Sequence, residues 1–284
     1  MKVLIIGGTG TLGGELVKRY YADHSVTVFS RDELKQQNMK KEYPKVKYII
    51  GDIKDRDSIG PAIQGMSRVY HVAALKHVEL GEIHTEEFIK TNLLGTINVA
   101  KACINYKVPK LSFCSTDKAV LPINAYGFSK GLAEKYLYSL DQKQTVINVF
   151  RWGNVIGSRG SAIHYFIECL KNGSIINITH EEMTRFWILI EDAVQFMSFT
   201  TDTFKHSPKE AHIPQMKACS ILFLINVLAE MLGVKIYETK TIGIRPGEKI
   251  HECLKSTHDT CIRSDSAEQF TRDELKIMLK EFVL

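Results

Sequence analysis

The sequence predicts an α/β protein in which a doubly wound parallel sheet carries a smaller α/β lobe. Two observations support this prediction. Short apolar runs rich in Val and Ile alternate with longer segments that have apolar residues at three-to-four spacing, and such alternation is typical of parallel strands joined by right-handed helical crossovers. In addition, a glycine-rich stretch directly follows the first apolar run, which is where such sheets bind their ligands.

The elements follow one another in a regular order. The predicted strands are KVLII, VTVF, VKYII, RVYHVA, LSFCS and VINVFRW, and the main helices between them are ELVKRYYA, EEFIKTNLLGTINVAKACINY and GLAEKYLYSLD. After about residue 155 the pattern loosens into helices near SAIHYFIECLKNG, IEDAVQFMSFTT and SILFLINVLAEMLG, with short strands between them. We therefore assign residues 1–155 to the sheet domain, to which later segments return, and residues 156–284 mainly to the smaller lobe.

Composition excludes several classes of function. The net charge of +5 is spread along the 284 residues, so a dedicated nucleic-acid surface is not predicted. No run of 18 or more apolar residues occurs and the start of the chain lacks the zones of a signal peptide, so we expect a soluble, cytoplasmic protein without membrane contact. The six cysteines have neither CxxC spacing nor histidine companions at metal-ligand spacing, and no metal site is predicted.

The stretch GGTGTLGG after the first strand has the spacing of a phosphate-binding loop. Gly8, Gly10 and Gly13 fit G-x-G-x-x-G, and Gly7 with the last two also fits G-x-x-G-x-x-G. Glycines permit a tight turn, and the following helix directs free N–H groups toward a pyrophosphate. A glycine-rich turn without a ligand is the alternative. The setting favours a Rossmann-type dinucleotide site, formed here by Gly7, Gly10, Thr11, Leu12 and Gly13.

The end of the second strand indicates which dinucleotide binds. An acidic residue there would bind the ribose 2′-hydroxyl of NAD, but the strand ends in Ser30 and Arg31. Because the arginine fork suits a 2′-phosphate, NADP is predicted, while Asp32 keeps NAD possible and Arg31 could also be a solvated loop cation. After the third strand, Asp52 and Ile53 are predicted to border the adenine, although Asp52 also fits a turn or helix cap.

The stretch STDKAVLPINAYGFSK contains the candidate catalytic residues. Tyr126 and Lys130 lie four residues apart at the start of a predicted helix, so they share one face. A nearby ammonium would lower the pKa of the phenol, which makes Tyr126 a usable base for a sugar hydroxyl. Asp117 and Lys118 follow a strand ending at Thr116, where open α/β sheets place their chemistry. A surface ion pair is the alternative for this pair.

At this point the sequence resembles a known family. GGTGTLG, SRDELK, HVAALKHVELGE, KTNLLGT, STDKAVLPINAYGFSKGLAEK, RWGNVIGSRGS, EEMTRFW and GIRPGEKIHE occur in the order found in extended short-chain dehydrogenases/reductases, and in particular in the C5-inverting UDP-N-acetylglucosamine 4,6-dehydratases of pseudaminic-acid-type pathways. The motifs extend over nearly the whole chain. The resemblance implies a cytoplasmic lyase of nucleotide-sugar and polysaccharide biosynthesis with catalytic NADP.

The resemblance also implies roles for the site residues. The sugar would be oxidised at C4, lose water across C5 and C6, and be reduced again at C6. Asp117 would be the acid and Lys118 the base of the elimination, while Thr116 would bind the C4 hydroxyl beside Tyr126. For Lys118 to act as a base, its pKa must fall well below about 10.4. Lys130 would hold the nicotinamide ribose.

The remaining implied contacts concern the cofactor ring and the UDP-sugar. Lys76 resembles the residue beside the nicotinamide, with Ala73 and Ala74 as small neighbours. The residues that resemble substrate contacts are Lys76, Asn154, Arg159, Arg185, Arg245 and Glu248. Any one of the last five could instead form a structural pair between lobes.

Two other functions are compatible with the predicted fold. A UDP-sugar 4-epimerase, or a variant dehydratase, would share the fold, but simple epimerisation has no use for Asp117 and Lys118. A non-catalytic NADP-binding sensor would have no use for the whole catalytic set.

The resemblance also implies an assembly. Family members pair through the two helices flanking the central strands, here EEFIKTNLLGTINVAKAC and YGFSKGLAEKYLYSL, so a homo-oligomer, a dimer or higher, is expected.

Overall fold

A parallel sheet is the central element of the fold. The computed structural model describes residues 1–141 and 144–283. Within this part of the chain, six parallel strands have the order β3-β2-β1-β4-β5-β6. They are β1 (Lys2–Ile6), β2 (Ser25–Ser30), β3 (Lys47–Ile50), β4 (Arg68–His71), β5 (Lys110–Cys114) and β6 (Val146–Phe150). All six predicted runs form strands, and the order reverses between β1 and β4, where doubly wound sheets bind ligands.

Helices cover both faces of this sheet, as predicted. Those of the first half are α1 (Thr11–Tyr20), α2 (Glu33–Glu42), α3 (Arg56–Ile63), α4 (Val78–Ile83), α5 (Thr85–Phe88), α6 (Gly95–Asn105) and α7 (Ala125–Ser139). The segment predicted as one long helix is divided, because a π-helix at Ile89–Leu94 joins α5 to α6. Such π-turns are often found at functional sites.

In the described part of the second half, the chain adds short strands and four helices. These elements are β7 (Asn154–Ile156), α8 (Ala162–Asn172), β8 (Ile176–Ile178), β9 (Thr184–Leu189), α9 (Ile190–Thr203), β10 (Lys217–Ser220), α10 (Ile221–Met231), β11 (Thr239–Thr241), β12 (Cys253–Ser256), β13 (Cys261–Arg263) and α11 (Arg272–Val283). The strands form a three-stranded sheet β10-β9-β7 and the pairs β11-β8 and β12-β13. Leu284, the last residue of the predicted smaller lobe, lies outside the described residues.

Three apolar clusters hold these layers together. Successive residues of β1 point to opposite faces, so Val3 packs with α1 and α9, while Leu4 packs with α3, α6 and α7. Burial on both faces explains why the strand is an uninterrupted apolar run. The third cluster is formed by residues from Ile156 to Val283. Among the described residues, no helix is long and apolar enough to cross a bilayer.

Candidate active site

The glycine loop after β1 is closely packed on its neighbours. Gly7 has a φ of +86°, and a Cβ there would lie 2.7 Å from the backbone nitrogen of Ala73, in the loop after β4. A Cβ on Gly13 would collide with the carbonyl oxygen of Gly7. Only glycine fits both positions, and the packing brings the predicted loop and the Ala73 segment together at the switch point of the sheet.

The start of α1 fits a dinucleotide pyrophosphate. Gly10 is the N-cap and makes no side-chain cap, and the first turn contains no acidic residue. The first N–H groups and the positive end of the helix dipole are therefore available to an anion. Together with the absence of side chains at Gly7 and Gly13, these features suit a dinucleotide, the class of ligand that the glycine spacing predicts.

The residues at the end of β2 already have partners within the chain. Ser30 is buried and its Oγ accepts a hydrogen bond from Gln36 Nε2 at 2.9 Å. Asp32 caps α2 by accepting from the backbone N–H of Lys35 at 2.9 Å, and its carboxylate also lies 2.7 Å from Lys35 Nζ. Arg31 is half-exposed and lies 3.5 Å from the carboxylate of Asp52.

Asp52 and Ile53 lie at the predicted place after β3. Asp52 accepts from the backbone N–H of Lys54 at 2.9 Å, so it does cap a turn while it also contacts Arg31. Ile53 is buried and packs against Gly95 at the start of α6, where a Cβ would lie 2.7 Å from its Cδ1. The two residues therefore form part of the wall beside the end of β2.

Arg159 lies against the glycine loop. Its guanidinium donates to the carbonyl oxygen of Thr9, and its backbone N–H donates to Thr11 Oγ1 at 3.2 Å. Lys76 Nζ donates to the carbonyl oxygen of Arg159 at 3.2 Å, and the pKa of Lys76 is lowered by burial and by the Arg159 charge. Arg159 and Lys35 line a cleft of about 370 Å³ beside the loop. The sequence placed Arg159 on the sugar side, whereas the structure places it beside the phosphate loop.

Thr116, Asp117 and Lys118 form a compact polar group at the carboxyl end of β5. Asp117 is fully buried, and its Oδ1 accepts from Thr116 Oγ1 at 3.0 Å and from Lys118 Nζ at 3.1 Å. Nothing in the described chain hydrogen-bonds Oδ2 of Asp117. Burial raises the pKa of Asp117, and the Lys118 charge opposes this shift without cancelling it. These residues are inside the fold, so the surface-pair alternative for them is wrong.

The expected low pKa of Lys118 is wrong for this structure. Burial by itself disfavours the ammonium, but the carboxylates of Asp117 and Glu252 outweigh it, and the pKa of Lys118 is raised. Glu252 Oε1 lies 3.2 Å from Lys118 Nζ, and Glu252 is buried just before β12. Sequence reasoning missed this residue, because the only signal was its place in the GIRPGEKIHE motif.

Tyr126 and Lys130 also differ from the expected electrostatics. Burial raises the pKa of Tyr126, and side-chain hydrogen bonding with Thr116 and the Lys118 charge oppose this shift. The ammonium of Lys130 lies 3.8 Å from the centre of the Phe113 ring. Burial lowers the pKa of Lys130 to about 8. The predicted lowering of the Tyr126 pKa is therefore wrong for this structure, and the ammonium that opposes the rise is that of Lys118.

Asn92, in the π-helix, is a second residue that sequence reasoning missed. Its side chain accepts from the backbone N–H of Leu75 at 2.9 Å and donates to the carbonyl oxygen of Leu75 at 2.9 Å. It also donates to Ser129 Oγ at 3.1 Å. The buried amide thus fixes the segment of Ala73, Ala74 and Lys76 against α7, and KTNLLGT was the signal for it.

The residues assigned to the UDP-sugar are not equivalent in the structure. Arg185 is buried in β9, and its guanidinium donates to the carbonyl oxygens of Thr184, Lys249 and Ile250. It therefore supports the segment that carries the GIRPGEK motif. Arg245 is exposed and pairs with Glu79. Glu248 Oε2 accepts a hydrogen bond from the backbone N–H of Arg245 at 3.4 Å. Asn154 is the first residue of β7. A separate cleft of about 710 Å³ between α9 and α11 contains none of the predicted site residues.

Substituting Gly13 by alanine tests the loop geometry. The added Cβ would meet the carbonyl oxygen of Gly7, so we expect the loop to move and the affinity for a nicotinamide dinucleotide to fall by tenfold or more, about 1.4 kcal/mol. Gly14→Ala is the matched control, because its Cβ would meet only the end of Met39 at 3.7 Å. Equal affinities of both variants in calorimetric titration would contradict the packing argument.

The sheet order, the glycine loop and the Tyr126–Lys130 pair define an extended short-chain dehydrogenase/reductase. A model of the family described as polysaccharide biosynthesis protein matches residues 3–274. The chain belongs to this family, and the resemblance seen in the sequence is confirmed.

Individual relatives carry two different activities in their names. A UDP-glucose 4-epimerase of Rickettsia akari is 39% identical over 276 residues, which cover 93% of this chain and 80% of the relative. An inverting UDP-N-acetylglucosamine 4,6-dehydratase of Campylobacter jejuni is 38% identical over 268 residues, 91% of this chain and 78% of the relative. The solved structure of Pen from Bacillus thuringiensis has a TM-score of 0.91 at 32% identity and covers 99% of this chain and 97% of its own. The chain is thus similar to enzymes that act on UDP-sugars.

Proposed function

We propose that the protein is a UDP-N-acetylglucosamine 4,6-dehydratase that uses NADP and inverts C5. The observation that carries this proposal is the group of buried Asp117 and partly buried Lys118 within contact of Thr116, whose side chain also interacts with Tyr126. If the reaction were only an oxidation at C4, Tyr126 would be sufficient as the base. A second acid and base beside it suit the removal of water from C5 and C6, and a relative at 38% identity bears that activity in its name.

The residues would divide the reaction between them. Tyr126 takes the proton of the C4 hydroxyl, which Thr116 binds. When bound, the nicotinamide supplies the temporary oxidant at C4 and is regenerated within one turnover. The C4 ketone acidifies the C5 proton, so Lys118 can remove it while Asp117 protonates the departing C6 hydroxyl. The raised pKa of Asp117 supports the acid role, because it favours the protonated carboxyl at neutral pH.

We infer NADP rather than NAD from the charges beside the glycine loop. Arg31, Lys35 and Arg159 are all near the end of β2 or the cleft beside it. Asp32 is already engaged as the cap of α2 and as the partner of Lys35, so it is poorly placed to bind a ribose diol. Cations suit a 2′-phosphate, and comparing the affinities for NADP and NAD tests the assignment.

The UDP-sugar would bind between the sheet domain, residues 1–155, and the lobe of residues 156–284. Lys76, Asn154, Arg245 and Glu248 are the proposed contacts, and Arg185 would act by holding the segment of Lys249 and Ile250. The pair of Arg245 and Glu79 links this segment to α4, beside the loop that carries Lys76. A diphosphate binding here would join both parts of the chain.

The test is proton NMR of UDP-N-acetylglucosamine incubated with the protein and NADP in deuterated water. A new C6 methyl signal with deuterium at C5 is the expected result, and the ring couplings report whether C5 is inverted. A product changed only at C4 would establish the second candidate, a UDP-sugar 4-epimerase, which is favoured by the 39% identity to a relative of that name. Tight cofactor binding with no conversion of the sugar would instead support a non-catalytic sensor.

We also propose that the chain forms a homodimer through α7 and the π-helix. Four apolar residues are exposed on these two adjacent elements: Ile89, Leu94, Phe128 and Leu132, which are 43%, 46%, 52% and 56% exposed. Phe128 and Leu132 lie one turn apart on the same face of α7. Such a patch is typical of an interaction surface.

Charged substitutions test this interface. The double variant Phe128→Glu, Leu132→Glu is expected to halve the mass measured by light scattering, because buried charges in a dimer interface are costly. Ile236→Glu is the control, since Ile236 is 90% exposed and lies outside these two elements. A double variant that keeps the wild-type mass would refute the proposed surface.

A further inference from the structure

Glu252 is a second carboxylate that reaches Lys118. Its Oε1 is 3.2 Å from Lys118 Nζ and its Oε2 is 3.6 Å from Lys249 Nζ, and the residue is 2% exposed. Its main chain is fixed to Ser264 on both sides: the Glu252 N–H donates to Ser264 Oγ, and the Ser264 N–H donates to the Glu252 carbonyl oxygen, both at 2.9 Å. The main chain that carries the carboxylate is therefore fixed beside Lys118.

The proposed elimination needs two protonation states at once. Asp117 must hold a proton in order to release it to the C6 hydroxyl, and Lys118 must be neutral in order to accept the C5 proton. An ammonium at Lys118 cannot act as a base, and Asp117 cannot accept its proton if it already holds one. Something else within hydrogen-bond distance must take the proton of Lys118.

Geometry leaves Glu252 as the acceptor, because its Oε1 is the other carboxylate oxygen beside Lys118 Nζ, at 3.2 Å. The charged groups around Glu252 are the cations Lys118, Arg185 and Lys249 and the carboxyl of Asp117. Burial raises the pKa of Glu252, but the three cations outweigh it and this pKa is lowered, while the Glu252 charge helps to raise the pKa of Asp117. Asp117, by contrast, has a raised pKa. The arrangement that fits both directions is a neutral Asp117 carboxyl and an ion pair between Lys118 and Glu252.

We propose that Glu252 is a positioning residue that takes the proton of Lys118 before elimination and returns it afterwards. The inference rests on the proposed function. One N–H bond of the Lys118 ammonium breaks and one O–H bond forms on Glu252. Both partners become neutral, and the sum of their two charges stays at zero. The neutral amine then takes the C5 proton, and the proton of Asp117 leaves with the C6 hydroxyl as water.

The remaining steps restore the site. Lys118 gives a proton back to C5, and Glu252 gives its proton back to Lys118. Asp117 has lost one proton to water and Tyr126 has gained one from the C4 hydroxyl. Thr116 donates to Asp117 and its side chain also interacts with Tyr126, so the excess proton on Tyr126 can pass to Asp117 and complete the balance.

The first experiment measures the coupling of Glu252 to Lys118 without any substrate. Trace acetic anhydride labels neutral amines, and mass spectrometry gives the pH at which the labelling rate of Lys118 is half its maximum. In Glu252→Gln this pH is expected to fall by about one unit or more, because an opposite charge has been removed. Glu210→Gln is the control, since Glu210 forms an exposed pair with Lys255 at 2.9 Å. An unchanged value in Glu252→Gln overturns the proposal.

The second experiment measures the role in turnover. At neutral pH, Glu252→Gln is expected to slow deuterium incorporation at C5 by about 100-fold, while C4 oxidation is retained. The C5 rate should recover as the pH rises, because solvent then removes the Lys118 proton. Equal losses of oxidation and exchange without alkaline recovery would show a structural role and overturn the proposal. If Glu252→Gln does not fold, Glu252→Asp serves in both experiments, with a smaller effect in the same direction and the same outcomes overturning the proposal.

Failure of the proposed function can be distinguished from failure of this inference. A wild-type protein that does not dehydrate UDP-N-acetylglucosamine contradicts the proposed function. The labelling experiment still decides whether Glu252 controls the protonation of Lys118.

Discussion

Replacing Lys118 by arginine is expected to abolish elimination while C4 oxidation continues. Arginine keeps the positive charge between the carboxylates of Asp117 and Glu252, which lie 3.1 and 3.2 Å from Lys118 Nζ. Its guanidinium does not lose a proton in proteins, so it cannot serve as the base. The loss in the rate of C5 exchange should be about 1,000-fold. The measurement combines NMR of the sugar with the near-ultraviolet absorbance of reduced nicotinamide.

Two further variants make this result interpretable. Lys255→Arg is the control for a lysine-to-arginine exchange at an exposed pair and should leave both steps unchanged. Lys118→Ala should in addition lower the free energy of unfolding by about 3–5 kcal/mol, because it leaves buried carboxylates without their cation. Elimination by Lys118→Arg at the wild-type rate would remove Lys118 from the base role.

Replacing Tyr126 by phenylalanine is expected to abolish the first step, so that neither reduced cofactor nor any product forms. The phenol is the group that takes the proton of the C4 hydroxyl, and general bases of this kind contribute about 100- to 10,000-fold. Tyr136→Phe, on the same helix α7, is the control. Transient reduced cofactor in Tyr126→Phe would contradict the assignment.

The pH dependence of oxidation provides a second readout for Tyr126. Burial raises the pKa of this phenol, so the phenolate fraction is small at neutral pH and grows as the pH increases. In single-turnover measurements the oxidation rate of the wild type should therefore rise with pH. A rate that falls above neutral pH would indicate that a protonated group limits this step.

Much of the fold could be read from the sequence because the signals are local. Each strand of a sheet covered on both faces is an apolar run, and all six predicted runs form strands of the central sheet. The glycine loop was predictable for a similar reason, since Gly7 and Gly13 have no space for a side chain. The π-helix at Ile89–Leu94 was not predictable, because the sequence there has an ordinary helical pattern.

The chemistry of the site was predicted only in part. The residue types and their places after β5 and on α7 followed from spacing and from the family resemblance. Arg159 was assigned to the sugar, yet the fold brings it to Thr9 and Thr11. Likewise Arg185 was predicted to contact the UDP-sugar, and in the structure its guanidinium donates to main-chain carbonyl oxygens. Which partner a long side chain reaches depends on how distant loops pack, which spacing does not report.

By itself, the sequence determined the sheet, the dinucleotide loop and the identity of Thr116, Asp117, Lys118 and Tyr126. The tertiary structure alone decided the directions in which their pKa values are shifted. Lys118 was expected to have a lowered pKa, but folding places the carboxylate of Glu252 beside it, and the pKa is raised. A pKa depends on burial and on every charge within a few ångströms. Residues far apart in the chain supply those charges, so only the folded arrangement fixes them.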